Sequence, residues 1–313
     1  MTNRQPKLII HGGASSLSDK GGLASVRLSL QKIVQEVYDL LLEGYSATDA
    51  VVEGCKRLED EPRFNAGTGS VLQSDGQVRM SASLMNGFLE SFSGVINVSR
   101  LKNPIELAKF LQSQDDRIIS DCGSSELLRE LKTPIYDPTT DFRLQEWIEE
   151  RNNDSQPRMA RLIAESHPEA RRGTIGVVAL DNQGRIAAGT STGGRGLERI
   201  GRVSDSCTPA GNYANGFAGV SCTGVGEDII DECTAARIVI RVTDGMSLPQ
   251  AVEKSMQESS AHKRDLGMIS LDRTGIIAWG KTSEILLAAY HDGKEIQDTL
   301  EWPPGELMGS TLP

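Results

Sequence analysis

Aromatic side chains make up only 4% of the 313 residues, and no apolar run approaches the roughly 20 residues that cross a membrane. The core must therefore come from Val, Ile, Leu and Ala, and 32 glycines give the backbone many places to turn or approach closely. Cysteine is sparse: Cys55, Cys122, Cys207, Cys222 and Cys233 are odd in number, far apart, and form neither a C-x-x-C nor a Cys/His ligand spacing. That argues against a disulfide framework and a thiolate metal site, and buried free thiols are expected. None of His11, His167, His262 and His291 stands in a telling relation to a cysteine, which makes a Cys-His nucleophile the weaker reading.

Positive charge is also in short supply. With 33 Lys and Arg against 43 Asp and Glu, the net charge is -10. Phosphate backbones and anionic membranes would be repelled, so no nucleic acid and no membrane is expected as partner. Small neutral or zwitterionic substrates stay open. The glycine-rich stretches Gly67-Thr-Gly-Ser and 189–196 lack the Gly-Lys-Ser/Thr ending that cradles phosphates, and no organic cofactor is expected. The first residues run into Lys7-Leu-Ile-Ile without an apolar leader, which predicts a cytoplasmic protein.

What is present is a mixture of helical and strand patterns. Leu8-Ile-Ile reads as a strand, 24–42 and 46–58 as helices, and Ser74-Asp75-Gly76 as the turn of a hairpin formed by 70–73 and 77–80. A strand at 94–98 and a helix at 104–111 follow. Between about 133 and 173, Pro134, Pro138, Pro157 and Pro168 interrupt a charged stretch that reads as a flexible linker, with room for a short helix near 142–150. Beyond it, 174–180 and 185–192 flank Asp181-Asn-Gln-Gly184 as a hairpin. A strand at 216–222, helices at 229–243 and 248–256, and a hairpin around Asp272-Arg-Thr-Gly275 complete the pattern. Helices and hairpins without a regular strand-helix repeat argue for an α+β body.

The linker ends in Arg171-Arg172-Gly173 and delivers Thr174 at the head of an apolar strand. A cut between Gly173 and Thr174 would leave a residue that carries nucleophile and base together. Its hydroxyl attacks, and its α-amine, with a pKa of roughly 7.7 to 8.0, accepts the proton. The same hydroxyl can make the cut by attacking the Gly173 carbonyl, which no Cβ shields. The plain alternative is a Gly-Thr that merely opens a strand. Around it stand Thr190-Ser-Thr192-Gly-Gly, whose hairpin pairing would return Thr192 to Thr174 as a donor to the nucleophile, and Ser221-Cys-Thr223-Gly224-Val-Gly226-Glu, a strand end able to aim a hydroxyl and a backbone N–H at an oxyanion. Gly201-Arg202-Val-Ser-Asp205-Ser sets a guanidinium and a carboxylate three residues apart, suited to the α-carboxylate and α-amine of an amino acid, although a surface ion pair is the default for such a run.

In this order these motifs resemble the plant-type L-asparaginase / isoaspartyl peptidase family of N-terminal nucleophile (Ntn) hydrolases. His11-Gly-Gly-Ala, Pro62-Arg-Phe-Asn-Ala-Gly-Thr-Gly and Ala82-Ser-Leu-Met-Asn-Gly extend the likeness through the first half. The resemblance implies a single domain, 1–313, built as a four-layer αββα sandwich. It implies self-cleavage into an α subunit (1–173) and a β subunit (174–313), joined in an (αβ)2 heterotetramer. It also implies hydrolysis of β-aspartyl dipeptides and L-asparagine through a β-aspartyl ester on Thr174. By matching position, Thr174 is the nucleophile, Thr192 its orienting neighbour, and Thr223 and Gly224 the oxyanion hole. Arg202, Asp205, Thr223 and Gly226 would hold substrate, and Gly173, Asn65, His11, Gly12 and Gly13 would support processing. A structural sodium ion is implied on the backbone carbonyls of Leu58, Glu59, Glu61, Phe64, Ala66 and Thr68. Ser81, Asn86, Ser204 and Val225 depart from the family pattern, the first two replacing carboxylates. Two other readings stay open: an unprocessed pseudoenzyme serving as a binding or scaffold protein, and glycosylasparaginase-like activity.

Overall fold

The computed structural model describes residues 4–14, 22–153, 173–303 and 305–311. They form a mixed α/β structure with two sheets. The larger has eight strands in the order β12-β11-β1-β5-β6-β2-β3-β4. Its strands are β1 (Lys7–His11), β2 (Met80–Asn86), β3 (Ser91–Val98), β4 (Ile118–Ser120), β5 (Ile175–Leu180), β6 (Ile186–Thr192), β11 (Ala288–His291) and β12 (Ile296–Asp298). The smaller runs β13-β10-β9-β8-β7. It comprises β7 (Asn212–Ala214), β8 (Ala218–Gly224), β9 (Leu266–Asp272), β10 (Ile277–Lys281) and β13 (Met308–Ser310). Every pairing is antiparallel except β3 with β4.

Strand β5 shows why the sequence folds this way. Its continuous Ile-Gly-Val-Val-Ala-Leu run is buried throughout, as a central strand covered on both faces requires. Ile175, Val177 and Ala179 join one apolar cluster with helices α1 (Leu23–Leu42), α2 (Ala47–Glu59) and α3 (Pro104–Leu111). Val178 and Leu180 join a second, with Ile9, Ile186, Ile269, Leu271 and Ile277, between the sheets. A third cluster packs helices Thr234–Thr243 and Leu248–Ala261 on the small sheet. Each fully buried Leu, Ile or Val contributes about 2 kcal/mol.

Several local expectations are corrected. The segment 70–80 has its turn at 74–76 but no strand ladder beyond Gln73 N to Gln77 O. Leu72 O instead accepts from Leu197 N, and Ser74 N donates to Glu198 O. The helix expected over 229–243 is two helices, Gly226–Glu232 and Thr234–Thr243, because Cys233 is left-handed at φ 50°. Cys55, Cys207 and Cys222 are buried, whereas Cys122 and Cys233 are exposed. After the short helix α4 (Asp121–Glu130), Asp141–Asn153 within the expected linker forms helix α5, and 154–172 lie outside the described residues. Among the described residues no helix is long and apolar enough to cross a membrane.

Candidate active site

The β5–β6 hairpin sets Ile175 opposite Ser191 and Gly176 opposite Thr190. Thr174, one residue before β5, thereby meets Thr192, the last residue of β6. The Thr174 hydroxyl donates to Thr192 Oγ1 at 3.1 Å, and the Gly194 N–H donates to the same oxygen at 3.1 Å. From the small sheet, Thr223 on β8 accepts the Thr174 N–H at 3.3 Å. All three threonines are buried. The direction differs from the expected donation by Thr192. In the continuous chain the Thr174 nitrogen is an amide and cannot accept a proton from the hydroxyl.

Gly173 is held against the turn after β1. A Cβ on Gly173 would lie 2.3 Å from the Gly13 Cα, and one on Gly13, whose φ is +108°, would lie 2.4 Å from the Gly173 Cα. Gly12 packs equally closely on the Phe64 ring. Asn65, fully buried, ties this region to the end of β6: its Nδ2 donates to Gly194 O at 2.7 Å, its Oδ1 accepts from Val71 N at 3.0 Å, and its carbonyl accepts from Gly193 N at 2.9 Å.

His11 faces the small sheet. Its Nε2 lies 3.0 Å from Ser221 Oγ, which lies 2.7 Å from Thr190 Oγ1. Burial pushes the His11 pKa down to about 3 against an opposing backbone hydrogen bond at Thr174, so the imidazole is neutral here. Gly176 makes room for this chain, since a Cβ there would lie 1.9 Å from Ser221 Oγ. No local pattern singles out Ser221 or Gly176; their roles exist only across the two sheets.

The second group of residues is charged. Arg202 donates through Nε and Nη2 to the two carboxylate oxygens of Glu227, each at 3.0 Å, and through Nη1 to Glu198 at 2.9 Å. Asp205 is buried at 3% exposure. Its Oδ1 accepts from Ser204 Oγ at 3.1 Å, while its Oδ2 has no hydrogen-bond partner. Burial raises the Asp205 pKa to about 6, with Arg202 and Ser204 pulling the other way. Gly226 fits between them: a Cβ there would lie 2.6 Å from Arg202 Nη2 and 2.7 Å from Asp205 Oδ1. A buried, unpartnered carboxylate oxygen beside a guanidinium can take an ammonium. Gly224, at φ +125°, presses on Leu266 and lets the turn from Thr223 to Gly226 join both groups of residues.

Sequence reasoning missed Glu198 and Glu227. Glu198, 3% exposed, also accepts from Gln73 Nε2 at 3.0 Å and from the Arg195 N–H at 3.0 Å. Helix α5 braces the loop that carries Gln73, through Arg143 Nε to Gly69 O at 2.8 Å and Trp147 Nε1 to Gln73 O at 2.9 Å. Of the departures, Ser204 bonds Asp205, Ser81 Oγ accepts from Asn97 N, Asn86 Oδ1 caps the β2–β3 turn, and Val225 N donates to Asp265 O.

The segment from Leu58 to Thr68 folds back on itself after α2. Glu59 O accepts from Thr68 N at 2.8 Å, Glu61 O from Phe64 N at 3.0 Å, and Leu58 O from Glu61 N at 3.4 Å. The Glu59 and Phe64 carbonyls crowd the Cβ positions of Gly67 and Gly69. The Glu59 and Glu61 carbonyls each accept one N–H here and keep a second lone pair, the neutral oxygen donor that a hard cation takes.

Two sheets that meet over a buried threonine cluster, with a guanidinium-carboxylate pair at the far end of one turn, define a class of α/β protein built around a strand-end hydroxyl. The chain belongs to the asparaginase family, whose model matches residues 4–301. It is 68% identical over 307 residues to an isoaspartyl peptidase/L-asparaginase of Synechocystis sp., covering 97% of this chain and 93% of that one. It is 64% identical to a protein of the same name from Nostoc sp., over 98% of each chain. A plant-type L-asparaginase of Pyrococcus abyssi is 36% identical, over 90% of this chain and 95% of that one.

Proposed function

We propose that the protein hydrolyses β-aspartyl dipeptides and L-asparagine, releasing L-aspartate, after cutting itself between Gly173 and Thr174. The observation that carries this reading is the Thr223–Gly226 turn. One end touches the Thr174 nitrogen, and the other lies against Arg202 and Asp205. Such a turn suits a substrate with a reactive carbonyl two carbons from an α-amino acid head.

In processing, Thr174 Oγ attacks the Gly173 carbonyl carbon. The hydroxyl proton passes to the leaving nitrogen as the C–N bond breaks and the ester forms, which frees the Thr174 amine; water then cleaves the ester, leaving the Gly173 carboxylate and restoring the Thr174 hydroxyl. In turnover, the same oxygen attacks the side-chain carbonyl of the aspartyl unit while its proton passes to that amine and on to the leaving ammonia or amino acid. Thr192 orients the hydroxyl, and Thr223 with the backbone at Gly224 faces the oxyanion. Arg202 takes the α-carboxylate and the Asp205 carboxylate takes the α-ammonium. Water releases L-aspartate and restores the hydroxyl.

The three apolar clusters support a four-layer αββα sandwich. Subunits 1–173 and 174–313 would assemble as an (αβ)2 heterotetramer in the cytoplasm. The carbonyls of Leu58, Glu59, Glu61, Phe64, Ala66 and Thr68 would hold a sodium ion that stiffens the loop leading to Asn65.

Mass spectrometry of aged protein, paired with hydrolysis assays, tests the central claim. Two fragments are expected, one beginning at Thr174, with ammonia released from L-asparagine and free amino acid from β-aspartyl dipeptides. Thr174→Ala is expected to stay whole and inert. Full activity in an uncut chain would overturn the mechanism.

A further inference from the structure

Arg202 is already occupied by carboxylates. A guanidinium has two forks that fit a carboxylate side by side, and the Nε/Nη2 fork is filled by both oxygens of Glu227 at 3.0 Å. Nη2 is also the guanidinium nitrogen that sits 2.6 Å from the Cβ position of Gly226, a position only 2.7 Å from Asp205 Oδ1. In an α-amino acid one carbon separates ammonium from carboxylate. A ligand whose ammonium sits on Asp205 Oδ1 therefore brings its carboxylate toward Nη2, the nitrogen that Glu227 holds.

The two carboxylates on Arg202 are not equivalent. The Glu198 side chain is 3% exposed and bound to Gln73 and the Arg195 backbone, whereas that of Glu227 is 49% exposed. Glu227 also has a second cation within reach, since Arg195 Nη1 lies 3.6 Å from its Oε1. Glu198, Glu227 and Asp205 already surround one guanidinium. A fourth carboxylate entering among them meets like charge unless one moves aside.

We infer that Glu227 is an internal stand-in for the substrate's α-carboxylate, seated on Arg202 until substrate enters and then displaced toward Arg195. Glu227 thereby sets the affinity threshold for the aspartyl head. The inference rests on the assignment of Arg202 and Asp205 as the aspartyl clamp. It adds that the clamp is filled from within, by a residue whose removal strengthens binding.

The test uses processed enzyme and two readouts, KM for L-asparagine and for a β-aspartyl dipeptide, and competitive inhibition by L-aspartate. Glu227→Gln keeps the length of the side chain and removes the charge. KM and the L-aspartate inhibition constant are both expected to fall by about tenfold, the scale of one charge-assisted interaction, with kcat little changed because ground and transition states gain alike. Glu227→Ala is expected to shift both in the same direction. Arg195→Ala is expected to raise KM about threefold in the parent and to have no effect once Glu227 is gone, since the two act as one unit. An unchanged or higher KM in both Glu227 variants would show that Glu227 orients Arg202 and does not compete for it, overturning the inference. An Arg195 effect that survives in the double variant would overturn the alternative seat. Should the processed parent hydrolyse neither substrate and bind no L-aspartate, the clamp assignment itself falls, a result independent of Glu227.

Discussion

The two ends of the Thr223–Gly226 turn are built from opposite materials. At the Thr174 end the partners are hydroxyls and backbone N–H groups, all neutral, with His11 held uncharged by burial. At the Arg202 end, one guanidinium faces Glu198, Glu227 and Asp205. A buried hydroxyl with a partner costs little and can turn its hydrogen during a reaction, whereas buried charge is costly and must be matched by fixed geometry. The first arrangement suits proton movement, and the second suits selection of a zwitterion.

Two substitutions should separate the ends by kinetic parameter. Arg202→Lys keeps the charge and loses the fork, and KM for L-asparagine is expected to rise by about 100-fold with kcat within several-fold. Thr192→Val removes an oxygen that accepts from Thr174 and Gly194, and kcat is expected to fall by about 100-fold with KM nearly unchanged. Steady-state kinetics on processed enzyme reads both. If Thr192→Val moved KM as strongly as kcat, the division between chemistry and selection would break.

The pH profile sharpens the contrast. The Thr174 amine must be neutral to act as base, so kcat/KM should fall tenfold per pH unit below about 7.7. Asp205, with its pKa raised to about 6, must be charged to hold an ammonium. Below pH 6 the limb should steepen to about a hundredfold per pH unit, two protons now opposing activity. Rate measurements from about pH 4.5 to 8.5 check this. A slope that stays at one proton throughout would mean that Asp205 does not contact the ammonium.

The sequence exposes the two ends unequally for the same physical reason. Thr174 and Thr192 flank a hairpin whose turn is written locally: Asp181 Oδ1 accepts from Gln183 N and Arg185 N, and Gly184 takes φ +79°. Their proximity follows from counting residues. Glu227 closes the Ser221–Glu227 motif, yet nothing in the chain says that it turns back onto Arg202 across 25 residues. Ser221 and Gly176 meet His11 only because two sheets stack. Helix α5 is half legible: the prolines suggest a loose linker, but Arg143 and Trp147 find partners 74 residues earlier. The likeness to a family carries the long-range part of the site, which local patterns do not encode.

A carboxylate without a cationic side-chain partner among the described residues extends the comparison. Glu59, the last residue of α2, is fully buried; its Oε1 accepts from Ile105 N at 3.1 Å, with Ser191 and Asn103 beside it. Burial pushes its pKa up to about 8, past the value of about 6 that Asp205 reaches beside Arg202. Since the folded chain holds this proton more tightly than the unfolded one, whose carboxyl titrates at 4.5, the contribution is complete below pH 4.5. It is lost as the pH rises to about 8. The loss should be on the order of a few kcal/mol, because each tenfold change in proton affinity is worth about 1.4 kcal/mol. Glu59→Gln mimics the protonated form, keeps an acceptor for Ile105 N, and should remove that loss. Urea melts at about pH 5 and about pH 8.5 provide the check: the variant should match the parent at the lower pH and exceed it at the higher. An equal gap at both would mean that Glu59 is charged in the fold, and that lack of a cationic side chain is not what separates it from Asp205.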